Sequence, residues 1–228
     1  MFRIFILGCG GTGSNLTTLL AQLALYKNMS IVLIDNDIVE DKNRRNQKFT
    51  PKDVGKNKAL VLAKRYLKLG IDISYIDTFI EKSEQLATII TEGTKCSDIP
   101  ILVGCVDNNK ARRIMHEVFD KIDNIVYIDT GNGTSNRDGQ TVVGVKNKGK
   151  IIKPSIGYCC PQILLPEYDP PDEQSCTLRQ EAEPQAFISN VMSSFVTFNI
   201  LNNLIMFNKI NSSNKNIFFF DADSIEIK

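Results

Sequence analysis

The chain has 228 residues, with 27 lysines and arginines against 26 acids, 43% hydrophobic and 23% charged. A net charge of +1 removes any whole-chain electrostatic case for nucleic acid or an anionic membrane as partner, and the plentiful aliphatic and aromatic residues exclude a disordered chain. This length and composition suffice for one large hydrophobic core or two small ones.

Met1-Phe2-Arg3 runs into an apolar stretch and then directly into glycines, with no small-residue cleavage site, so no secretory signal is expected. The six cysteines, Cys9, Cys96, Cys105, Cys159, Cys160 and Cys176, therefore read as reduced thiols of a cytoplasmic protein.

Arg3 to Gly8 predicts a buried strand, Asn15 to Tyr26 a helix, and Ser30 to Asp35 a second, β-branched strand, which together make a βαβ unit. Lys56 to Leu69 reads as a helix and Asp72 to Ile76 as a third strand. Glu84 to Glu92 predicts a helix, and Ile101 to Cys105 a buried strand. Ala111, Ile114, Met115, Val118, Phe119 and Ile122 recur at helical spacing. Ile125 to Asp129 and Gln140 to Val145 complete the strand series. The second of these is expected to run antiparallel, because residues 130–139 are too few and too polar for a helical crossover.

Residues 146–185, rich in proline, glycine and polar side chains, predict an irregular functional segment. From Pro184 to Asn208 no residue is charged, yet the many Ser, Asn, Gln and Thr side chains there favour a buried helix or subunit interface over a membrane span. Ile217 to Phe220 and Ser224 to Ile227 are expected to close the chain as a hairpin. The alternation predicts one α/β domain over residues 1–228, a Rossmann-like three-layer fold whose mostly parallel sheet continues into antiparallel strands.

Gly8-Cys9-Gly10-Gly11-Thr12-Gly13 fits the G-x-G-x-x-G pattern between a strand and a helix. Such glycines allow a tight turn, close approach of backbone to phosphate, and close packing of helix on sheet. The helix amino terminus then offers free N–H groups and partial positive charge to an anion. Asp35, ending the second strand, suits ribose hydroxyls and disfavours a 2′-phosphate. NAD and ATP both fit these residues.

The stretch from Asp35 to Gln47 then gathers acids, amides and two arginines, Arg44 and Arg45. Hydride transfer needs little cationic help there, whereas a triphosphate and a departing pyrophosphate require arginine, lysine and metal. Lys58 can supply the lysine. Asp107, just past the fourth strand, falls at the carboxyl edge of the sheet, where α/β ligand sites form and a carboxylate can hold magnesium.

Together these residues resemble the ThiF/MoeB family, the adenylating domain shared with ubiquitin-activating enzymes. The resemblance runs through the glycine turn, Asp35-x-Asp37-x-Val39-Glu40-x-x-Asn43, Gln47, Val54-Gly55-Lys56-Asn57-Lys58, Val106-Asp107-Asn108, Gly139-Gln140, Ser175-Cys176-Thr177 and Phe220-Asp221-Ala222. It implies that Gly8, Gly10, Gly11 and Gly13 border the ATP phosphates, that Asp35 holds the ribose, that Asn43, Gln47 and Lys58 serve the nucleotide, and that Asp107 organises Mg2+.

The implied reaction is attack of a C-terminal carboxylate on the α-phosphate. The substrate implied is a ubiquitin-like or sulfur-carrier-like protein or a peptide, and the products are an acyl-adenylate and pyrophosphate. A carboxylate is already ionised at neutral pH, so orientation and charge stabilisation suffice without a strong base. Cys176 falls where ThiF carries a cysteine and has two readings, an acceptor for the acyl group or sulfur, or a structural thiol. The family arginine before the glutamine is Asn46 here, so Arg44 or Arg45 is expected to stand in for it. No pair of Cys-x-x-Cys motifs exists, so no zinc is expected. The resemblance further implies a homodimer and a small, trimmed member of plasmid or phage type.

Other residues read as structural. His116, the sole histidine, falls outside the apolar stripe of its helix and is expected to be a solvated surface imidazole. Cys9 reads as a small residue packed near backbone, at a helix terminus that would lower its pKa. The Phe187, Val191, Phe195 and Phe198 face reads as core or dimer contact. Two rivals to ATP-dependent adenylation stay open: a nicotinamide-dependent oxidoreductase, and a non-catalytic module that holds a ubiquitin-like partner.

Overall fold

The first strand, β1 (Phe2–Leu7), buries Ile4 and Ile6 on one face and Phe5 and Leu7 on the other, and β2 (Met29–Ile34) is buried along its whole length. Strands apolar on both faces belong in a parallel sheet covered by helices on each side, and that is the arrangement found. The computed structural model describes residues 1–132, 138–166, 187–210 and 217–221.

The remaining strands are β3 (Asp72–Ile76), β4 (Ile99–Gly104), β5 (Ile125–Asn132), β6 (Asp138–Asn147), β7 (Lys150–Lys153) and β8 (Ile217–Asp221). The sheet runs β3-β2-β1-β4-β5-β6-β7, with β8 also paired to β6. Strands β3, β2, β1, β4 and β5 are mutually parallel, while β6 is antiparallel to β5, β7 and β8. The strand order reverses between β1 and β4, so a crevice opens past their carboxyl ends.

Helices α1 (Gly11–Ala24), α2 (Lys58–Leu67) and α6 (Phe187–Phe207) cover one face around Leu16, Leu20, Leu62, Leu201 and Leu204. Helices α3 (Ser83–Gly93), α4 (Asn109–Lys121) and the single turn α5 (Ile156–Cys159) cover the other around Leu86, Met115, Phe119 and Tyr127. This is the expected Rossmann-like three-layer α/β fold. The expected antiparallel run of β6 is present, and the uncharged stretch forms the 21-residue α6.

Some expectations need correction. Residues 146–185 are not irregular throughout, since β7, α5 and a 3-10 turn (Pro161–Leu164) fall within them. Lys148 and Gly149 have φ of 50° and 74° and join β6 to β7 in a tight hairpin turn. His116 is buried, not solvated: its Nδ1 lies 2.9 Å from Ser155 Oγ, and Tyr158 packs edge-on at 4.9 Å. The helix side that looked free from its own periodicity is covered by α5. The predicted strand Ser224–Ile227 lies outside the described residues, as does Cys176. Among the described residues no helix is long and apolar enough to cross a membrane.

Candidate active site

The glycine turn links β1 to α1 at the strand-order reversal. Gly8 has φ of +95°, and a Cβ there would lie 2.5 Å from the Cys105 carbonyl oxygen at the end of β4. A Cβ on Gly13 would lie 1.9 Å from the Gly8 carbonyl oxygen, and one on Gly11 2.6 Å from the Asn190 side chain. Gly10 alone faces open space, its nearest neighbour being Gln47 Nε2 at 4.0 Å. Gly8, Gly11 and Gly13 thus let β4, α6 and the turn itself close up, whereas Gly10 leaves room for a ligand.

Gly10 caps α1 with no side-chain hydrogen bond, and no acid stands in the first turn. The helix amino terminus therefore keeps its N–H groups and partial positive charge for an incoming anion. Gln47 Oε1, beside Gly10, is buried with no hydrogen-bond partner. An open cradle and unspent N–H groups fit a nucleotide phosphate chain, while the orphaned amide oxygen calls for a donor such as a ribose hydroxyl.

Asp35 is locked from two sides. Its Oδ2 accepts the Cys9 N–H at 2.6 Å and its Oδ1 the Asp37 N–H at 2.8 Å. Burial pushes the Asp35 carboxyl up from its ordinary range, opposed by those N–H donors and by the charge of Lys58. The Cys9 thiol is raised rather than lowered by its position, first by burial and then by the Asp35 charge. It is therefore a buried thiol, not a reactive one.

Lys58, 7% exposed, donates from Nζ to Asp37 Oδ2 at 2.8 Å and from its backbone N–H to the Asp37 carbonyl at 2.8 Å. Asn57 caps α2 by accepting from the Leu60 N–H, while its Nδ2 donates to the Asp35 carbonyl at 2.7 Å and to Asp77 Oδ1 at 2.8 Å. Asn57 is therefore the scaffold that ties the second-strand loop to α2. In the sequence it stood only as part of the Val54–Lys58 motif and inside the predicted Lys56–Leu69 helix, whereas it is the residue that caps α2.

Residues 41–47 form a short 3-10 turn (Asp41–Arg45) and its exit. Asn43 is buried, and its Oδ1 accepts the Glu40 N–H at 2.8 Å, so its amide oxygen holds the turn. Arg44 is ion-paired with Asp41, and Arg45 is exposed. The Lys48 N–H donates to Ser14 Oγ at 3.1 Å, which fastens the turn's exit to α1.

Asp107 is exposed just past β4, and Asn108 after it caps α4 by accepting the Ala111 N–H at 2.8 Å. Among the described residues no three acids, histidines or cysteines gather to form a closed metal cage. A lone carboxylate at a phosphate site suits magnesium, which takes its other ligands from water and phosphate oxygens. The structure thus brings together Gly8, Gly10, Gly11, Gly13, Asp35, Gln47 and Lys58. It sets Asp107 at the same sheet edge, and it commits Arg44 to Asp41.

Behind the turn, Asn190 Oδ1 accepts from Thr12 Oγ1 at 3.2 Å and from Asn132 Nδ2 at 3.1 Å, while Ser194 Oγ donates to the Thr12 carbonyl at 2.9 Å. This polar seam between α1 and α6 had no sequence signal.

The chain resembles known proteins along its length. It is 28% identical over 187 residues to ubiquitin-activating enzyme E1 1 of Candida albicans, a match covering 78% of this chain and 16% of that protein. The structure of E. coli MccB with ATP superimposes with a TM-score of 0.67 at 23% identity, over 99% of this chain and 62% of that one. The microcin C7 biosynthetic enzyme MccB in complex with N-formylated MccA does so with 0.69 at 23% identity, over 99% and 63%. The chain therefore spans about a sixth of the curated relative (16%) and less than two thirds of the MccB chains. The ThiF family pattern matches residues 1–228 from end to end, and the chain belongs to the ThiF family.

Proposed function

We propose that this chain uses ATP to adenylate the C-terminal carboxylate of a peptide or ubiquitin-like protein, with residues 1–228 acting as one adenylation domain. The observation that carries the reading is the open cradle at Gly10 combined with Asp35 locked onto the Cys9 N–H. It is supported by the family, by the ubiquitin-activating relative, and by MccB having been solved both with ATP and with the peptide MccA.

In this reading the Gly10–Gly13 N–H groups bind the phosphates and Asp35 orients the ribose. Lys58 exchanges its partner Asp37 for phosphate oxygen, and the orphaned Gln47 Oε1 accepts from a hydroxyl of the nucleotide. Asp107 would hold Mg2+, which supplies charge neutralisation for the departing pyrophosphate. The carboxylate nucleophile needs orientation rather than deprotonation, consistent with the lack of any histidine near the turn. Cys176 keeps its two readings, acyl acceptor or structural thiol, and Cys176→Ser separates them by loss or retention of a hydroxylamine-sensitive adduct.

A second reading draws on Asn46 and the Arg44–Asp41 pair: with asparagine at the family's arginine position and Arg44 already paired, the chain would hold a partner without activating it. The two differ in a direct assay. Adenylation gives pyrophosphate–ATP exchange that depends on an added carboxylate peptide and is lost in Asp107→Asn. A folded protein that binds Mg·ATP without exchange supports the holding role, and binding of NAD+ in place of Mg·ATP sinks both. Phe187 and Phe195, 50% and 57% exposed on α6, suit contact with a second copy. Phe195→Glu then gives a monomer by light scattering, and an unchanged mass rejects that contact.

A further inference from the structure

Arg112 stands in the first turn of α4, and its guanidinium is spent twice beneath the carboxyl edge of the sheet. Nε donates to Asp129 Oδ2 at 3.2 Å, and Nη2 donates to the Val106 carbonyl at 2.9 Å. Asp129, 1% exposed, lies opposite Gly104 in the β4–β5 pairing and accepts the Tyr127 hydroxyl at 3.1 Å on its other oxygen. Gly131 leaves space for the arrangement, since a Cβ there would come within 3.2 Å of Arg112 Nη2. The residue after the clamped carbonyl is Asp107.

A buried ion pair is a poor way to gain stability, because apolar side chains of the same volume do as well or better. This pair accomplishes two other things. It fixes the peptide that leads into Asp107, and it gives the arginine a carboxylate other than Asp107. Burial alone would lower the Arg112 pKa, but Asp129 outweighs it, with smaller contributions from Tyr127 and Asp107, and the guanidinium is held charged more firmly than usual. Asp107 is thus within the field of a cation that is bound elsewhere. An arginine released from Asp129 has an exposed carboxylate at hand to neutralise.

We propose that Arg112 is a positioning residue for Asp107: Asp129 and Tyr127 hold its guanidinium on the Val106 carbonyl, which fixes the Asp107 carboxylate at the sheet edge and keeps it unpaired for a divalent cation. The proposal rests on the reading that Asp107 handles the metal of the nucleotide. Outer-shell partners of this kind change metal affinity by about 10–100-fold when lost.

The test is Mn2+ binding followed by electron paramagnetic resonance in the presence of a non-hydrolysable ATP analogue, with thermal melts as the check on folding. Asp129→Asn, which leaves both Asp107 and Arg112 intact, weakens Mn2+ binding about 10-fold because the freed arginine competes for Asp107. Adding Arg112→Met to Asp129→Asn recovers the part of that loss that comes from competition but not the part that comes from the unclamped Val106 carbonyl, so affinity returns only partway to wild type. A merely structural role predicts the reverse, with the double variant no better than Asp129→Asn.

Wild-type affinity in Asp129→Asn, or a further fall in the double variant, overturns the proposal. Asp107→Asn is the separate control. If it binds Mn2+ as well as wild type does, the assignment of Asp107 fails, and the proposal falls with it for a reason that does not involve Arg112.

Discussion

Lys58 and Asp37 hold each other twice, once through the side-chain ion pair and once through backbone, each at 2.8 Å. The lysine side chain is 9% exposed and the aspartate's 61%, so the cation is fixed and the anion is the partner that can be displaced. Two substitutions then act with opposite signs on binding of an ATP analogue. In the proposed nucleotide site, Lys58→Gln would remove a charged hydrogen bond to phosphate, worth about 1.5–3 kcal/mol, and weaken binding about 10–100-fold. Asp37→Asn removes a competitor worth about 1 kcal/mol and tightens binding about fivefold. Calorimetric titration reads both, and weaker binding in Asp37→Asn would mean that the pair holds Lys58 ready rather than competing for it.

Gly13 and Gly10 differ in what a methyl group meets. Gly13→Ala drives Cβ into the Gly8 carbonyl, 1.9 Å away. It is expected to cost about 3 kcal/mol of stability, at the upper end for overpacking. Gly10→Ala meets nothing closer than 4.0 Å, so its melting temperature stays near wild type while its affinity for the ATP analogue falls. Equal losses of stability in the two variants would show that the space at Gly10 is not kept for a ligand.

Asn57→Ala removes the α2 cap and three side-chain donations at once. Loss of a cap costs about 1 kcal/mol, and each buried acceptor left without a partner adds about 1–3 kcal/mol. A loss of about 3 kcal/mol in a urea titration is expected. A loss below about 1 kcal/mol would mean that water replaces the amide freely.

Asp53 gives the pH signature. Burial alone would raise its carboxyl, but hydrogen bonds from the Thr50 hydroxyl and N–H, together with the Arg65 charge, outweigh it and hold the carboxyl below its ordinary 3.8. A depressed folded pKa contributes stability that is present above the unfolded value and disappears as pH falls through the folded one. Wild type should therefore exceed Asp53→Asn in melting temperature above pH 3.8, and the two should converge as the solution is acidified below it. A gap independent of pH would refute the ionic account.

Much of the fold was legible because its signals are local. The β1–turn–α1–β2 order follows from an apolar run, spaced glycines and helix formers in immediate succession, and the antiparallel β6 from the short connection before it. Misreadings arose where a distant segment decides. His116 looked solvated because its own helix leaves it off the apolar stripe, yet Ser155 and Tyr158 bury it from α5. β7 and α5 were missed because four residues each are too few to display a period. In the site, the glycines, Asp35 and Lys58 carry recognisable residue types at recognisable places. Arg112, Asn132 and Asn190 act through partners on other elements, which no local pattern can specify.

Thr12 and Asn190 meet although they stand 178 positions apart in sequence, and this separation has a consequence for synthesis. The glycine turn leaves the ribosome well before α6, together with the strands that flank it. Its support from α6 exists only once Asn190 and Ser194 have been made, and contacts so distant in sequence form late and slowly. A nascent chain halted before residue 187 carries the nucleotide turn without its buttress. The turn is thus translated well before it is finished, and its cradle is complete only when α6 has followed it out of the ribosome.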